Sequence, residues 1–271
     1  MSNLEIPTEQ LEQIEIDAWA DLYEAAGTLK DNPCGISIHR EEPYVAMSVA
    51  GFDVLALNRI IGWGEGPQRS AYNLRKIINI FRQAGVVRIF LQLHPSLVDA
   101  DAGETLRETG FTYYNNWVKL YRKAEPLTGV KSDLRVEETG PERADDFARV
   151  LLEGFEWDRR LRPWMGSVVG RPNWHLYLAF DGDRPVATGA FYRSGEYAWV
   201  DMAATLADCR GRGAQAVLMQ RRIADAIKLG CKYLVVETAE ETPERESPSY
   251  RNMLRYGFQV AYLRPNFLYQ F

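Results

Sequence analysis

The sequence is poor in residues that build metal sites, disulfide frameworks and nucleophilic triads. It has 3 cysteines and 3 histidines in 271 residues. Cys34, Cys209 and Cys231 show no paired spacing, and His39, His94 and His175 are scattered. A zinc site therefore has no local signature, and free buried thiols are the expected state. No Gly-x-Ser-x-Gly elbow occurs, which removes the local mark of a serine hydrolase. No apolar run approaches membrane-spanning length, and Met1–Gln10 is polar and acidic, without the apolar core of a leader. Positive charge is not in excess either. A formal net charge of −5 opposes a nucleic-acid surface, whose affinity rests on phosphate neutralisation. These absences lead us to expect a cytoplasmic chain with no metal, no membrane partner and no nucleic-acid partner.

What is present is concentrated in one stretch, Cys209-Arg210-Gly211-Arg212-Gly213-Ala214-Gln215-Ala216. Before it, Tyr197–Leu206 is rich in apolar, aromatic and β-branched residues, as a strand is. After it, Ala216, Val217, Ile223, Ala224 and Ile227 recur at helical spacing until Gly230. The first N–H groups of such a helix lack intrahelical partners and point into the loop. Gly211 and Gly213 let a ligand approach the backbone, and Arg210 and Arg212 add positive charge. This combination suits a phosphate or pyrophosphate.

Gly211-x-Gly213-x-x-Ala216 also fits the dinucleotide fingerprint formally, with Glu237 closing the next strand. That turn is normally tight and opens a series of βα units, whereas only one further strand-helix-strand follows here. A different resemblance covers more of the chain. Arg210-Gly-Arg-Gly213-Ala-Gln215 resembles the acyl-CoA loop of the GNAT superfamily of N-acetyltransferases, with Gln215 in place of the usual final small residue. Asp181-Gly182-Asp183 reads as the hairpin between two early strands of that fold. Cys231–Thr238 resembles its fifth strand, and Ser249–Phe258 its late helix ending in Gly-Phe. The resemblance runs from about Leu134 to Phe271.

That likeness implies a mixed α/β sheet of α+β class and acetyl-CoA as co-substrate. It places the cofactor against Ala203, Ala204, Thr205, the loop residues Arg210, Gly211, Arg212, Gly213, Ala214, Gln215 and Ala216, and Ser249 and Asn252 of the late helix. It also implies an acidic base, for which Asp201 and Glu237 are the candidates. The tyrosine that commonly protonates the thiolate is absent, because its position holds Met253, and a thioether cannot donate a proton. Tyr250, one turn earlier, is the candidate replacement.

The first half repeats the second in outline. Helix Ser70–Gln83 stops at Gly85, strand Val86–Leu93 follows, and a late helix ends at Gly110-Phe111; the later marks are Gly230, Cys231 and Gly257-Phe258. Both halves close on aromatic strands, Trp117–Tyr121 and Asn266–Tyr269. This spacing predicts two tandem GNAT-like domains, 1–125 and 133–271, separated by a Pro- and Gly-bearing linker near Lys123–Ser132. In the first copy the loop reads Ile61-Gly-Trp-Gly-Glu65-Gly-Pro67-Gln68, where a carboxylate and a missing N–H oppose pyrophosphate. We therefore expect the first copy to be degenerate and the second catalytic.

The second copy also predicts a capping box at Thr139–Glu142 before the helix of Phe147, Val150, Leu151 and Phe155. Phe155, Trp157, Trp164, Met165 and Trp174 then form an aromatic region that suits either the core or an acceptor pocket. The expected activity is acetyl transfer to a small-molecule or peptide amine, with a homodimer compatible with the residues. A non-catalytic acyl-CoA-binding protein is the alternative that the missing tyrosine keeps open.

Overall fold

The computed structural model describes residues 6–64 and 69–271. In chain order its elements begin with α1 (Thr8–Glu24), β1 (Ile36–Glu41), β2 (Tyr44–Val49), β3 (Arg59–Ile61) and α2 (Ala71–Ala84). Then come β4 (Arg88–Gln92), α3 (Ala100–Thr109), β5 (Thr112–Lys123), β6 (Arg135–Glu138), α4 (Ala144–Phe155) and α5 (Arg162–Gly166). The chain ends with β7 (Trp174–Asp181), β8 (Arg184–Ser194), β9 (Tyr197–Thr205), α6 (Ala214–Lys228), β10 (Tyr233–Ala239), α7 (Pro248–Arg255) and β11 (Gln259–Gln270). Parallel and antiparallel pairs are mixed, as expected for the α+β class.

The described residues divide into two compact units. The first takes the chain as far as Lys119, together with Glu237–Arg251 and Val260–Phe271; the second takes Leu120–Val236 and Asn252–Gln259.

In the first unit the strands run β1-β2-β3-β4-β11-β5. Within that order β3 and β4 are parallel, while β4 and β11 are antiparallel, with Asn266 opposite Gln92 and Phe267 opposite Leu91. Helix α2 forms here for reasons visible in its sequence. Ser70 accepts the Asn73 N–H at 3.2 Å as N-cap, and Gly85 takes the left-handed φ of 75° that ends the helix. Its buried stripe of Leu74, Ile77, Ile78 and Phe81 packs with Ile60, Ile89, Leu91, Leu106 and Phe111. Each such side chain contributes about 1.5–3 kcal/mol by leaving water.

In the second unit the last residues of β5 precede β10-β9-β8-β7-β6, and Ala124 N–H reaches Lys232 O at 2.8 Å. Each repeat's closing strand thus lies beside strands of the other repeat: β11 against β4, and the end of β5 against the start of β10. The hairpin at Gly182 (φ 58°) joins β7 and β8 as expected. The capping box does not form. Pro141–Arg143 winds as a 3₁₀ turn whose N-cap is Gly140, and α4 begins only at Ala144 with no side-chain cap. Pro141 fixes φ for that turn, and the Thr139 hydroxyl is left buried without a partner among the described residues.

Candidate acyl-CoA site in the second unit

The site is built on β9 and the turn that follows it. Strand β9 pairs with β10 in parallel at Tyr197, Ala198 and Trp199 only, ending with Trp199 opposite Val235. Beyond that point β9 continues to Thr205 against β8 alone. Its register with β8 slips between Thr188 and Ala190, and Met202 takes a φ of 53°. This bulge turns the chain at Asp201–Met202.

Three side chains hold the bulge. Thr188 Oγ1 donates to Met202 O at 2.8 Å and accepts from Ala204 N–H at 3.3 Å. Gln215 Nε2 donates to Ala204 O at 2.9 Å, Thr205 Oγ1 at 3.0 Å and Thr188 O at 3.2 Å. Arg222, fully buried on α6, reaches the carbonyls of Ala190 and Asp201, each at 3.4 Å. Burial lowers the Arg222 pKa to about 10, and Gly189 makes room for it, since a Cβ there would lie 2.9 Å from Cζ. Sequence reading missed these two α6 residues as supports for the strand. Their signal is a polar residue on the buried face of an amphipathic helix.

The turn itself has the expected shape. Gly211 and Gly213 both have φ of 79°, and α6 starts at Ala214 with Gly213 as N-cap. Ala216 and Val217 N–H both return to Gly213 O. The N–H groups of Gly211, Arg212, Gly213, Ala214 and Gln215 have no hydrogen-bond partner among the described residues. Five consecutive donors at the positive end of a 15-residue helix form a seat for an anion. A Cβ on Gly211 would meet nothing within 4 Å, whereas one on Gly213 would lie 3.0 Å from Lys131 O. Gly211 therefore faces open space, and Gly213 is packed against the linker.

The two arginines differ. Arg210 is exposed and bonds to Thr205 O at 3.3 Å and Gly154 O at 3.4 Å. Arg212 is committed to Asp133 and Asp181, and those hydrogen bonds hold its own pKa above the ordinary value. Only its backbone N–H faces the turn as a free donor.

The remaining candidates fall in different places. Ala203 is exposed, Ala204 is buried and Thr205 half-buried; Gly154 of α4 packs so closely that a Cβ would lie 2.8 Å from Ala204 Cβ. Asp201 is half-buried, with Oδ1 accepting its neighbour Met202 N–H at 2.6 Å and Oδ2 accepting Trp199 Nε1 at 3.0 Å. On α7, Asn252 belongs to the second unit and accepts from Arg255 at 2.8 Å, while exposed Ser249 and half-buried Tyr250 belong to the first. Of the aromatic region, Trp164, Met165 and Trp174 are buried in the core. Phe155 is 41% exposed and stacks on Trp157 at 4.9 Å.

Glu237, the second base candidate, lies in the first unit within a buried ion network. Glu15 of α1 pairs with Arg264, Lys119 and Arg59, and Glu12 with Arg264 and Lys119. Glu237 Oε2 accepts from Arg264 at 2.5 Å, Arg59 and Lys119 stand 3.8 and 3.9 Å away, and Oε1 has no hydrogen bond among the described residues. Burial opposes all three carboxylates. The cations around Glu15 nevertheless hold it well below the ordinary range, whereas Glu237 is pushed up to about 7. Its side chain is 3% exposed.

The turn before α6 and the bulged strand β9 lie within a stretch that matches a known family. Residues 136–253 match the model of the acetyltransferase (GNAT) family. Among curated proteins none matches this sequence. Several solved structures share the fold over nearly the whole chain. A GCN5-related N-acetyltransferase from Sphaerobacter thermophilus aligns with a TM-score of 0.62 and 12% identity, covering 96% of this chain and 91% of its own. One from Kribbella flavida gives 0.58 and 17%, covering 91% and 94%. A tandem GNAT protein from the clavulanic acid biosynthesis pathway gives 0.60 and 13%, covering 97% and 94%. The duplicated architecture expected from the sequence is therefore a known one.

Proposed function

We propose that the second repeat is an acetyl-CoA-dependent N-acetyltransferase acting on a small-molecule or peptide amine, and that the first repeat does not bind acyl-CoA. The observation that carries this reading is the run of unpartnered N–H groups from Gly211 to Gln215 at the start of α6. A pyrophosphate accepts from such a run with its charge on the helix axis. Arg210 supplies the mobile positive charge, and Ala203–Thr205, the unpaired stretch of β9, offers its edge to the pantetheine arm. Asn252, in the same unit, is proposed to touch the far side of the same cofactor. In the first repeat Glu65 and Pro67, which oppose an anion there, lie outside the described residues.

In the reaction, the amine nitrogen attacks the thioester carbonyl carbon, its proton passes to a carboxylate, and the thiolate leaves. Asp201 is the proposed base. It stands at the bulge where β9 has lost its neighbour, and two hydrogen bonds orient its carboxylate. Glu237 is the less suited group, being ion-paired and nearly inaccessible. With Met253 in the usual place of the acid, solvent would protonate the thiolate. The stacked Phe155 and Trp157, next to Gly154 and hence to Ala204, favour an acceptor with an apolar or aromatic body. Thiol release from acetyl-CoA, followed with and without a panel of aromatic and aliphatic amines, tests the reading. Amine-dependent release supports it; binding of acetyl-CoA without release under any amine would favour a non-catalytic acyl-CoA-binding protein.

A further inference from the structure

Helix α6 buries a stripe of Ala214, Leu218, Met219, Ile223 and Ala226, and Arg222 lies in the same stripe with no exposure at all. A guanidinium taken out of water is costly unless a carboxylate pairs with it. Among the described residues no carboxylate stands within ion-pair distance of this one. Its Nε donates to Leu218 O at 3.3 Å, and Nη1 donates to Ala190 O and Asp201 O, each at 3.4 Å. All three acceptors are backbone carbonyls, and Nη2 has no acceptor among the described residues. A neutral amide could serve two carbonyls without the cost of burying a charge, so these bonds alone do not account for an arginine.

The place of that charge is specific. Between β8 and β9, Thr188 faces Ala204 and Ala190 faces Asp201, so Gly189 sits at the slip in register. A Cβ on Gly189 would lie 2.9 Å from Arg222 Cζ, and its absence lets the guanidinium lie under the bulge. The titratable groups that act on Arg222 come from three other elements: Tyr256 just past α7, Tyr177 of β7 and Asp201 of β9. Strand β8 brings only Gly189 and the Ala190 carbonyl. Burial holds both phenols above their ordinary range, so both are neutral at neutral pH. The Tyr177 hydroxyl donates to Asp225 at 3.0 Å, a carboxylate already paired with Arg221 and Lys228. Burial lowers Arg222 to about 10, which leaves it protonated at neutral pH. Of the three groups, Asp201 is therefore the anion on which its charge acts.

We propose that Arg222 is a positioning residue for acyl transfer: its buried positive charge favours the carboxylate form of Asp201, and its hydrogen bond to Asp201 O fixes the peptide that carries that carboxylate. A general base must be anionic when the amine gives up its proton. An opposite charge nearby, in surroundings screened from water, keeps a carboxylate in that form. Arg222 itself, fully buried beneath the strand, acts through Asp201 rather than on the cofactor or the acceptor. This role rests on the reading of Asp201 as the base.

NMR titration of the full chain, labelled with carbon-13 at its aspartate carboxyl carbons, follows Asp201 directly; its resonance is the one lost in Asp201→Asn. Arg222→Gln removes the charge and keeps an amide donor. It should raise the Asp201 midpoint by about half a pH unit or more and move the acid limb of kcat with it. KM for acetyl-CoA should stay within about twofold. Arg222→Lys keeps the charge and should hold the midpoint near the parent value. An unmoved midpoint in folded Arg222→Gln would overturn the proposal. If that variant does not fold, Arg222→Lys decides: a parent-like midpoint supports the proposal, and a rise despite the retained charge overturns it. The midpoint needs no turnover, so the two readings fail separately. A fixed midpoint beside an acid limb lost in Asp201→Asn removes the role of Arg222 alone, whereas an acid limb that survives Asp201→Asn removes Asp201 as the base.

Discussion

Replacing Glu237 by Gln tests the electrostatics of the buried network quantitatively. Burial, with the nearby Glu15 carboxylate adding to it, raises the carboxyl from an ordinary value near 4.5 to about 7 against the pull of Arg264, Lys119 and Arg59. A carboxyl whose folded pKa lies above its unfolded one binds a proton more readily in the folded state. Its contribution to stability is therefore present below about pH 4.5 and is lost as pH rises through about 7. That difference corresponds to about 3 kcal/mol, in a domain whose whole stability is about 5–15 kcal/mol. Gln cannot ionise, so Glu237→Gln removes this pH dependence whatever its effect at any single pH. Urea unfolding of both proteins at several pH values from 5 to 8 measures the difference. The variant should gain on the parent by roughly 2–3 kcal/mol across that range. Parallel curves would refute the assignment of Glu237 as the carboxyl that gives way.

Three other outcomes follow from the second unit. Asp201→Asn should bind coenzyme A normally but slow acetyl transfer by about a hundred- to ten-thousand-fold, with the acid limb of the pH–rate profile gone; unaltered rates would remove Asp201 from the chemistry. Gly154→Val should push β9 away at Ala204, lowering stability by about 1–3 kcal/mol in a chemical denaturation curve, because a Cβ there would already lie 2.8 Å from Ala204 Cβ. Gln215→Ala should release Ala204 and Thr205 from α6 and so raise amide hydrogen exchange along Met202–Thr205, leaving exchange in β7 unaltered.

Much of the second unit was legible in the sequence because its signals are local. Glycines at 182, 211, 213 and 257 adopt the positive φ their turns require. The apolar stripe of α6 and the arginine-glycine turn fixed where a strand hands over to a helix. The α2 boundaries followed from Ser70 and Gly85 in the same way. One failure is local and the others are tertiary. Pro141 overrode the capping pattern at Thr139–Glu142. The placement of β11 beside β4 depends on pairing between residues about 170 apart, to which no local pattern speaks. The ion network was hidden because its members come from α1, β3, β5, β10 and β11. One trace of it is readable: Glu15 occupies the buried stripe of α1 with Leu11, Ile14, Ala18 and Leu22, where a solitary carboxylate needs a cation. Arg212 shows the opposite limit. Its position in the turn reads as phosphate-binding, but Asp133 and Asp181 claim its guanidinium.

The central claim is that the turn before α6 seats the pyrophosphate of acetyl-CoA, once per chain. Gly211 is the site at which to test it, because its Cβ direction is open, whereas substitution at Gly213 would also strain the packing against Lys131. Aspartate tolerates positive φ better than most residues, so Gly211→Asp places a carboxylate among the free N–H groups with little cost to the fold. Calorimetric titration of acetyl-CoA into the parent protein should give one equivalent bound, and into folded Gly211→Asp at least a tenfold loss of affinity, the equivalent of about 1.4 kcal/mol. Two equivalents in the parent, or undiminished affinity in the variant, would contradict it.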